Sequence, residues 1–485
     1  TAQVSVYIKG DNHTHTGVLL KPSVSSPDSP YIGIPEAFNK HVIYAKTVNF
    51  TGTPPTGISI KGNVTAEAIV NKPSSPPLEE ATWTETTINL SDMVHFETSI
   101  YSFTFTIPAY SGEDDLYTNT GKLINATYPS PGIDVNGSPD PTPGIYWDAL
   151  NNRYLLGIAD DGTTAENFNS NGRRIRFEAD VLIKDTAGNI TLDSYLQTTG
   201  SLTINKGIDT PTDDADFCLD AAGSLTIASG ITIDGDLVVR GQALTLSNNI
   251  LGKVLCNEDI TVNGGSINGS VMTQKDIQVN GGSINGSVLS NGNITIGGGT
   301  INGSVLCYGA TPANHTISIS GGTIDATNSD YDAAVYIHNS ASGSGGVINI
   351  SGSPTITLGE NQRAGIAIVA PNGTVNISSP FTLNYASGTP EQFAIVNWSN
   401  TGNVNVTANN LILRGSIYSY DTITLNDSTQ TITGILVAGE KVNIGNKSKI
   451  IYDPEPYLEY SRVYKGFYWG RRRYVPVPGS WQIRW

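Results

Sequence analysis

Residues 254–304 are three successive copies of one seventeen-residue unit: VLCNEDITVNGGSINGS (254–270), VMTQKDIQVNGGSINGS (271–287) and VLSNGNITIGGGTINGS (288–304). A fourth begins at Val305 and reaches its own Gly321-Gly322-Thr323-Ile324 after a six-residue insertion. A fixed period of this kind means that each unit buries its apolar strip only by stacking on the next. Aligning the units places Ile260, Ile277 and Ile294 in one column, with Val262, Val279 and Ile296 beside them. A third column holds Ile267, Ile284, Ile301 and Ile324. Seventeen residues suit three short strands and are too few for a strand and a helix, so the expected fold is a parallel β-helix with coils ~4.8 Å apart. The dipeptides Asn268-Gly269, Asn285-Gly286 and Asn302-Gly303 are expected to supply the left-handed residues that turn the corners.

The cysteines follow from the same alignment. Cys256 and Cys307 occupy one position three units apart, with Thr273 and Ser290 between them. Three coils separate them by roughly 14 Å, whereas a disulfide needs Cα atoms within about 7 Å. They should be unpaired members of a stack of small side chains. With Cys218 the set is odd, so no disulfide framework holds the fold.

Less regular units with the same Ile/Val alternation run upstream to SLTI (201–204) and downstream through TVNIS and NVNVT to GILVAGEKVNIG. The expected organisation is all-β, in three parts. Residues 1–195 form a β-rich N-terminal domain, 196–454 a parallel β-helix and 455–485 an aromatic, basic tail. At about 17 residues in the regular coils and up to ~20 in the others, the helix should have roughly twelve coils and a length of roughly 60 Å. In the first part, period-two runs such as Ser102–Ile107 and Ile175–Ile183 mark strands with one buried face. Residues 71–80 and 128–144 are Pro/Gly-rich loops.

Composition limits the function. Only 14% of residues are charged, with Gly 52 and Pro 25, which fits a surface β protein better than a charged cytosolic enzyme. The net charge of −16 argues against nucleic acid and anionic membrane faces. No apolar run approaches the ~20 residues of a membrane helix. The chain opens at Thr1 directly into a strand-like TAQVSVYI, as expected of a mature or trimmed form. Nineteen Asn-x-Ser/Thr triplets occur, and Asn63, Asn125, Asn189, Asn314 and Asn397 are taken as glycosylation candidates of an extracellular protein.

Residues 457–485 hold six basic side chains against the single acid Glu459, a local +5 that leaves −21 for the rest. Arg462, Lys465, Trp469, Arg471, Arg472, Arg473, Tyr474, Trp481, Arg484 and Trp485 form the candidate interaction surface. Arginine and aromatic residues anchor interfaces. Large aromatics also cover the open end of a solenoid, so the tail is read as a cap, a docking segment or both. Two acid clusters, Asp209/Asp213/Asp214/Asp216/Asp220 and Asp134/Asn136/Asp140, miss the spacing of a calcium loop and are expected to be solvated turns. His13 and His15 lack a second ligand pair and read as a surface strand. Asp259 and Asp276 stack one coil apart, yet no wider catalytic set builds around them, so no enzyme, metal or cofactor is expected.

The segments GILVAGEKVNIGNKSKIIYDP (434–454), with Tyr452-Asp453-Pro454, and Val477-Pro478-Gly479-Ser480-Trp481 resemble PilX-type, type IV pilus-associated proteins that carry a β-helical C-terminal domain. FNKHVIYAKTVNFTGTPPTGISIKGNV (38–64) and NGRRIRFEADVLI (171–183) are similar to other parts of that family, and the coils resemble bactofilins. Members begin with a prepilin cleavage site and a long apolar helix, neither of which stands at the start of this sequence. The resemblance implies a pilus-associated or filament-forming surface subunit whose partners are copies of itself, other surface subunits, or cell-wall or matrix polysaccharide. A secreted polysaccharide-binding or polysaccharide-cleaving β-helix protein is the alternative.

Overall fold

The computed structural model describes residues 41–52, 55–73, 81–88, 143–170, 175–177, 179–192, 195–210, 218–309, 314–331, 333–339, 341–359, 362, 364–386, 393–399 and 401–452, with the short strands 94–96, 122–124 and 467–469. It is all-β: a parallel β-helix with three strands per coil, one on each of three faces. In the first regular unit these are Val254–Cys256 on the first face, Ile260–Val262 on the second and Ser266–Ile267 on the third. Each pairs in parallel with its equivalent in the next unit, as in Val254↔Val271, Ile260↔Ile277 and Ile267↔Ile284.

The three columns read from the sequence exist as ladders. Ile260, Ile277, Ile294, Ile317 and Ile348 stack in register, as do Ile267, Ile284, Ile301 and Ile324. All are at most 1% exposed, and full burial of one such side chain contributes about 1.5–3 kcal/mol. The insertion after Val305 shifts the register of neither the first nor the second face, since Val288↔Val305 and Ile294↔Ile317 both hold.

Cys256, Thr273, Ser290 and Cys307 form one in-register column, and the cysteines are unpaired. Inward-facing polar atoms need partners, and each finds one on the turn below. The side chains donate to the carbonyls of Gln242, Glu258, Lys275 and Gly292 respectively. Burial pushes the Cys256 thiol up to about 11 and that of Cys307 higher still.

The left-handed corners differ from expectation. Positive φ falls on the second glycine of each Gly-Gly pair, at Gly265 (75°), Gly282 (83°), Gly299 (83°) and Gly322 (84°), and not on the Asn-Gly dipeptides. The carbonyl of each of the first three also accepts an N–H one coil on, from Ser283, Thr300 and Thr323. Gly269, Gly286 and Gly303 serve close approach instead, because a Cβ there would lie 2.6–2.7 Å from backbone of the preceding coil. Their neighbours Asn268, Asn285 and Asn302 form a side-chain ladder with bonds of 3.0 and 2.7 Å.

The ladders do not pause at residue 195. Arg153–Leu156, Asp180–Ile183, Leu202–Ile204 and Leu225–Ile227 are successive second-face strands. At this end Ile145–Asp148 pairs antiparallel with Arg153–Leu156 and closes the sheet edge as a hairpin, while Lys122–Ile124 lies against Ile175–Phe177 on the first face. At the other end the edge of the last coil is covered from far away in the chain. Ile43–Ala45 stacks on Leu436–Ala438, Thr47–Phe50 on Lys441–Ile444, and Ser59–Lys61 on Lys449–Ile451. Gly62–Ala66 and Ala81–Glu85 add further levels. The contact is a full interior cross-section, since Ile43, Val48 and Phe50 are 0% exposed. Asn49 Nδ2 donates to Asn443 Oδ1 at 3.2 Å, and Lys46 pairs with Glu440. Coils from 41–85 and 143–183 lengthen the rod beyond the expected span, to roughly 75 Å at ~4.8 Å per level.

Two measurements check this packing. Gly282→Ala should lower stability by at least about 1 kcal/mol, through the strained φ and a Cβ crowding the Gly265 carbonyl. Gly264→Ala, with open space at its Cβ and an ordinary φ, should be near neutral in the same urea titration. Equal effects would refute the stacking explanation. Cys256 and Cys307 should resist iodoacetamide at pH 8 until the fold is opened, and prompt labelling of native protein at either would contradict the burial.

Candidate binding faces of the rod

The side chains between the core-facing residues point outward, and their chemistry differs by face. On the second face, every level from Thr245 through Thr261, Gln278, Thr295, Ser318 and Asn349 to Asn376 carries an uncharged hydrogen-bonding residue. The rank continues through Asn405, Thr424 and Asn443 to Asn49. All of these are exposed or half-exposed. The third face repeats the pattern with Ser266, Ser283, Thr300, Thr323, Thr355 and Thr382.

Neighbouring amides in these ranks orient one another. Asn376 Nδ2 donates to Asn349 Oδ1 at 2.9 Å and Asn405 Nδ2 to Asn376 Oδ1 at 3.0 Å. Each amide so fixed retains further N–H and lone-pair capacity. The result is a flat, uncharged lattice of donors and acceptors at ~4.8 Å spacing, on a chain whose net charge is −16. The ranks themselves offer hydrogen bonds and carry no charge.

The carboxylates singled out in the sequence have structural work. Asp259 Oδ1 accepts the Asp276 N–H at 3.1 Å, and Asp276 Oδ1 accepts the Asn293 N–H at 2.7 Å. Each therefore caps a strand of the next coil from an exposed corner. Asp220 departs from the solvated turn expected of it. It is 0% exposed and held by Arg240 through two bonds of 2.8 and 2.7 Å, while Asp209 is exposed. Among the described residues no group of three or more His, Cys, Asp or Glu is placed to hold a metal ion.

The glycosylation candidates separate by exposure. Asn189 and Asn314 are exposed. The Asn63 amide is engaged by His41 Nδ1 at 3.0 Å and by Thr82 at 3.0 Å. Asn397 cannot carry a sugar in this fold. It is 0% exposed and donates to the carbonyls of Gly373 and Asn403 at 3.1 and 3.0 Å. Asn125, His13, His15, Asp134, Asn136, Asp140, Asp213, Asp214 and Asp216 lie outside the described residues, as do Arg462, Lys465, Arg471, Arg472, Arg473, Tyr474, Trp481, Arg484 and Trp485. Of the tail, only strand Phe467–Trp469 is described, paired antiparallel with Val94–Phe96. The edge left by the last coil, one place expected for the tail, is hydrogen-bonded by residues 43–61.

Sequence reasoning passed over two buried histidines. His315 is 4% exposed and faces the interior beside Gly309, and His338 is 6% exposed beside Tyr308 and Tyr336. Burial holds both imidazoles below the usual histidine range, and for His315 a bond to the Gly292 backbone opposes it.

No family model matches the chain, and neither a curated protein nor a solved structure matches it.

The histidines predict a pH dependence. A depressed imidazole is neutral in the fold, so on acidification the unfolded chain takes up the proton first, near its ordinary value of about 6.5. Stability is thus full above that pH and falls as the pH drops toward the folded values. Urea midpoints compared between pH 7.5 and 5 should decline, and the His315→Gln/His338→Gln double variant should flatten the decline. An unchanged slope in that variant would remove the histidines from the account.

Proposed function

We propose that the protein is an extracellular structural or adhesive rod, a pilus-associated or filament-forming surface subunit. The observation that carries this reading is the uncharged, amide- and hydroxyl-bearing outer rank of the second face, presented from Thr245 to Asn49 on a parallel ladder, with a shorter rank from Ser266 to Thr382 on the third face. A long, straight lattice of this kind suits repeated weak contacts along a polymer or a neighbouring rod, where multivalency makes many small interactions additive. The basic, aromatic tail supplies a second, chemically distinct contact for an acidic neighbour, and the body of this chain is itself acidic. The same neutral ranks favour, as a second reading, a secreted β-helix protein that binds neutral polysaccharide. Cleavage gains no support from Asp259 and Asp276, whose carboxylates cap backbone N–H groups.

One comparison tests both. The full chain and a variant lacking 457–485 would be viewed by negative stain and sedimented with neutral or acidic insoluble polysaccharide. Filaments that vanish on tail deletion and weaken in high salt, with the β signal intact, support a tail-docked surface subunit. Single rods that co-sediment with neutral polymer support the second reading. Preferential binding to acidic polymer would overturn the role assigned to the ranks.

A further inference from the structure

Of the three outer faces the first is covered, since its outward Leu306, Tyr336 and Tyr418 are at most 1% exposed. The second face is open, and its charges are arranged along the rod. Through the six levels from Ile294 to Leu425, its outward residues are uncharged. Beyond them charge appears at both ends, where the chain turns onto the face. At one end Glu258-Asp259 and Lys275-Asp276 precede the inward Ile260 and Ile277. At the other, Glu440-Lys441 and Lys46-Thr47 precede the inward Val442 and Val48.

The two ends are electrostatic opposites, position by position. A two-fold axis lying across the face, between the levels of Asn349 and Asn376, sets a second copy antiparallel and exchanges the ends. The Asp276 level then meets the Lys441 level, and the Asp259 level meets that of Thr47. Asp276 is opposed by Lys441, Lys275 by Glu440 and Glu258 by Lys46, each contact occurring twice by symmetry. Asp259 faces the neutral Thr47, and Asp421, at a corner beside the uncharged levels, faces Gly292. Within the described residues Lys441 has no carboxylate partner, and Asp259 and Asp276 have no cation. A parallel pairing of the same faces turns Lys441 toward Gly445 and Asp276 toward Asn280, and matches no charges.

We infer that the second face pairs with the same face of a second copy, the two rods antiparallel and centred between Asn349 and Asn376. On a chain of net charge −16, two copies repel in most approaches. This face removes charge from the centre of the contact and complements it at both ends. The contact is roughly 45 Å long and ~14 Å wide, on the order of 600 Å² per copy against about 800 Å² per partner in a standard stable interface. The pairing is therefore reversible and depends on concentration and salt. It rests on the reading of the second face as a contact surface and names the partner; the basic tail takes no part in it.

Cross-linking tests the geometry. Thr295 and Thr424 lie in the outward middle file on levels that the axis exchanges, and the native cysteines are buried. Full-chain Thr295→Cys and Thr424→Cys would be mixed at low salt and treated with a short bismaleimide. The expected result is mixed dimers in clear excess over the dimers that either variant gives alone. Self-linked Thr295→Cys in equal yield, or monomer throughout, would overturn the inference. In sedimentation velocity Lys441→Glu, its fold checked by circular dichroism, should raise the dissociation constant about tenfold at low salt, and high salt should narrow the difference. An unchanged constant counts against the pairing. Repeating the cross-link on the chain lacking 457–485 separates the two associations: mixed dimers should persist there whether or not filaments do, and their loss would assign the contact to the tail.

Discussion

The backbone hydrogen bonds between coils, directed along the rod axis, are the interaction on which everything else rests. They are kept in register by the constant number of residues that return the chain to each face. Constant register places like above like: isoleucine on isoleucine inside, asparagine on asparagine outside. The same stacking raises the stakes for any inward polar group, whose partner must come from a turn of the coil below. The Cys256–Thr273–Ser290–Cys307 column meets that demand four times with one geometry.

A ladder of this kind has two ends, and each would expose unpaired backbone and a slice of apolar core. The chain treats them differently. One end is closed locally by the hairpin of Ile145–Asp148 on Arg153–Leu156. The other is closed by residues 43–61, which meet residues 436–451 across nearly the whole sequence. A contact of such sequence separation carries a loop-closure cost that the local hairpin at the other end does not.

Legibility in the sequence followed the range of the interaction. Columns separated by seventeen residues could be read because one local pattern repeats, and the pairings Ile267↔Ile284 and Ile301↔Ile324 fall where the alignment puts them. Corner chemistry was misplaced because Asn-Gly is the familiar signal of an isolated turn, whereas in stacked coils Gly282 carries the positive φ and Gly286 makes room for the backbone beneath. The polar ranks were present as letters, but which of them face solvent together depends on the parity of each strand. Asn397 shows the limit of a motif: the triplet is intact, and the side chain is interior.

The end closure left one trace. VIYAKTVNF (42–50) and ILVAGEKVNI (435–444) are recognisably the same strand pair, but likeness alone does not say that they stack. The sequence by itself determined the coil, its period, its interior columns and the pairing state of Cys256 and Cys307, because these follow from local alternation and from distance. Only the tertiary structure decided that the N-terminal strands complete the C-terminal end. It also decided that the outward residues of one face are covered while those of the other two stay open. Both are contacts between residues far apart in the chain, and no short-range pattern encodes which distant surface an apolar strip will meet.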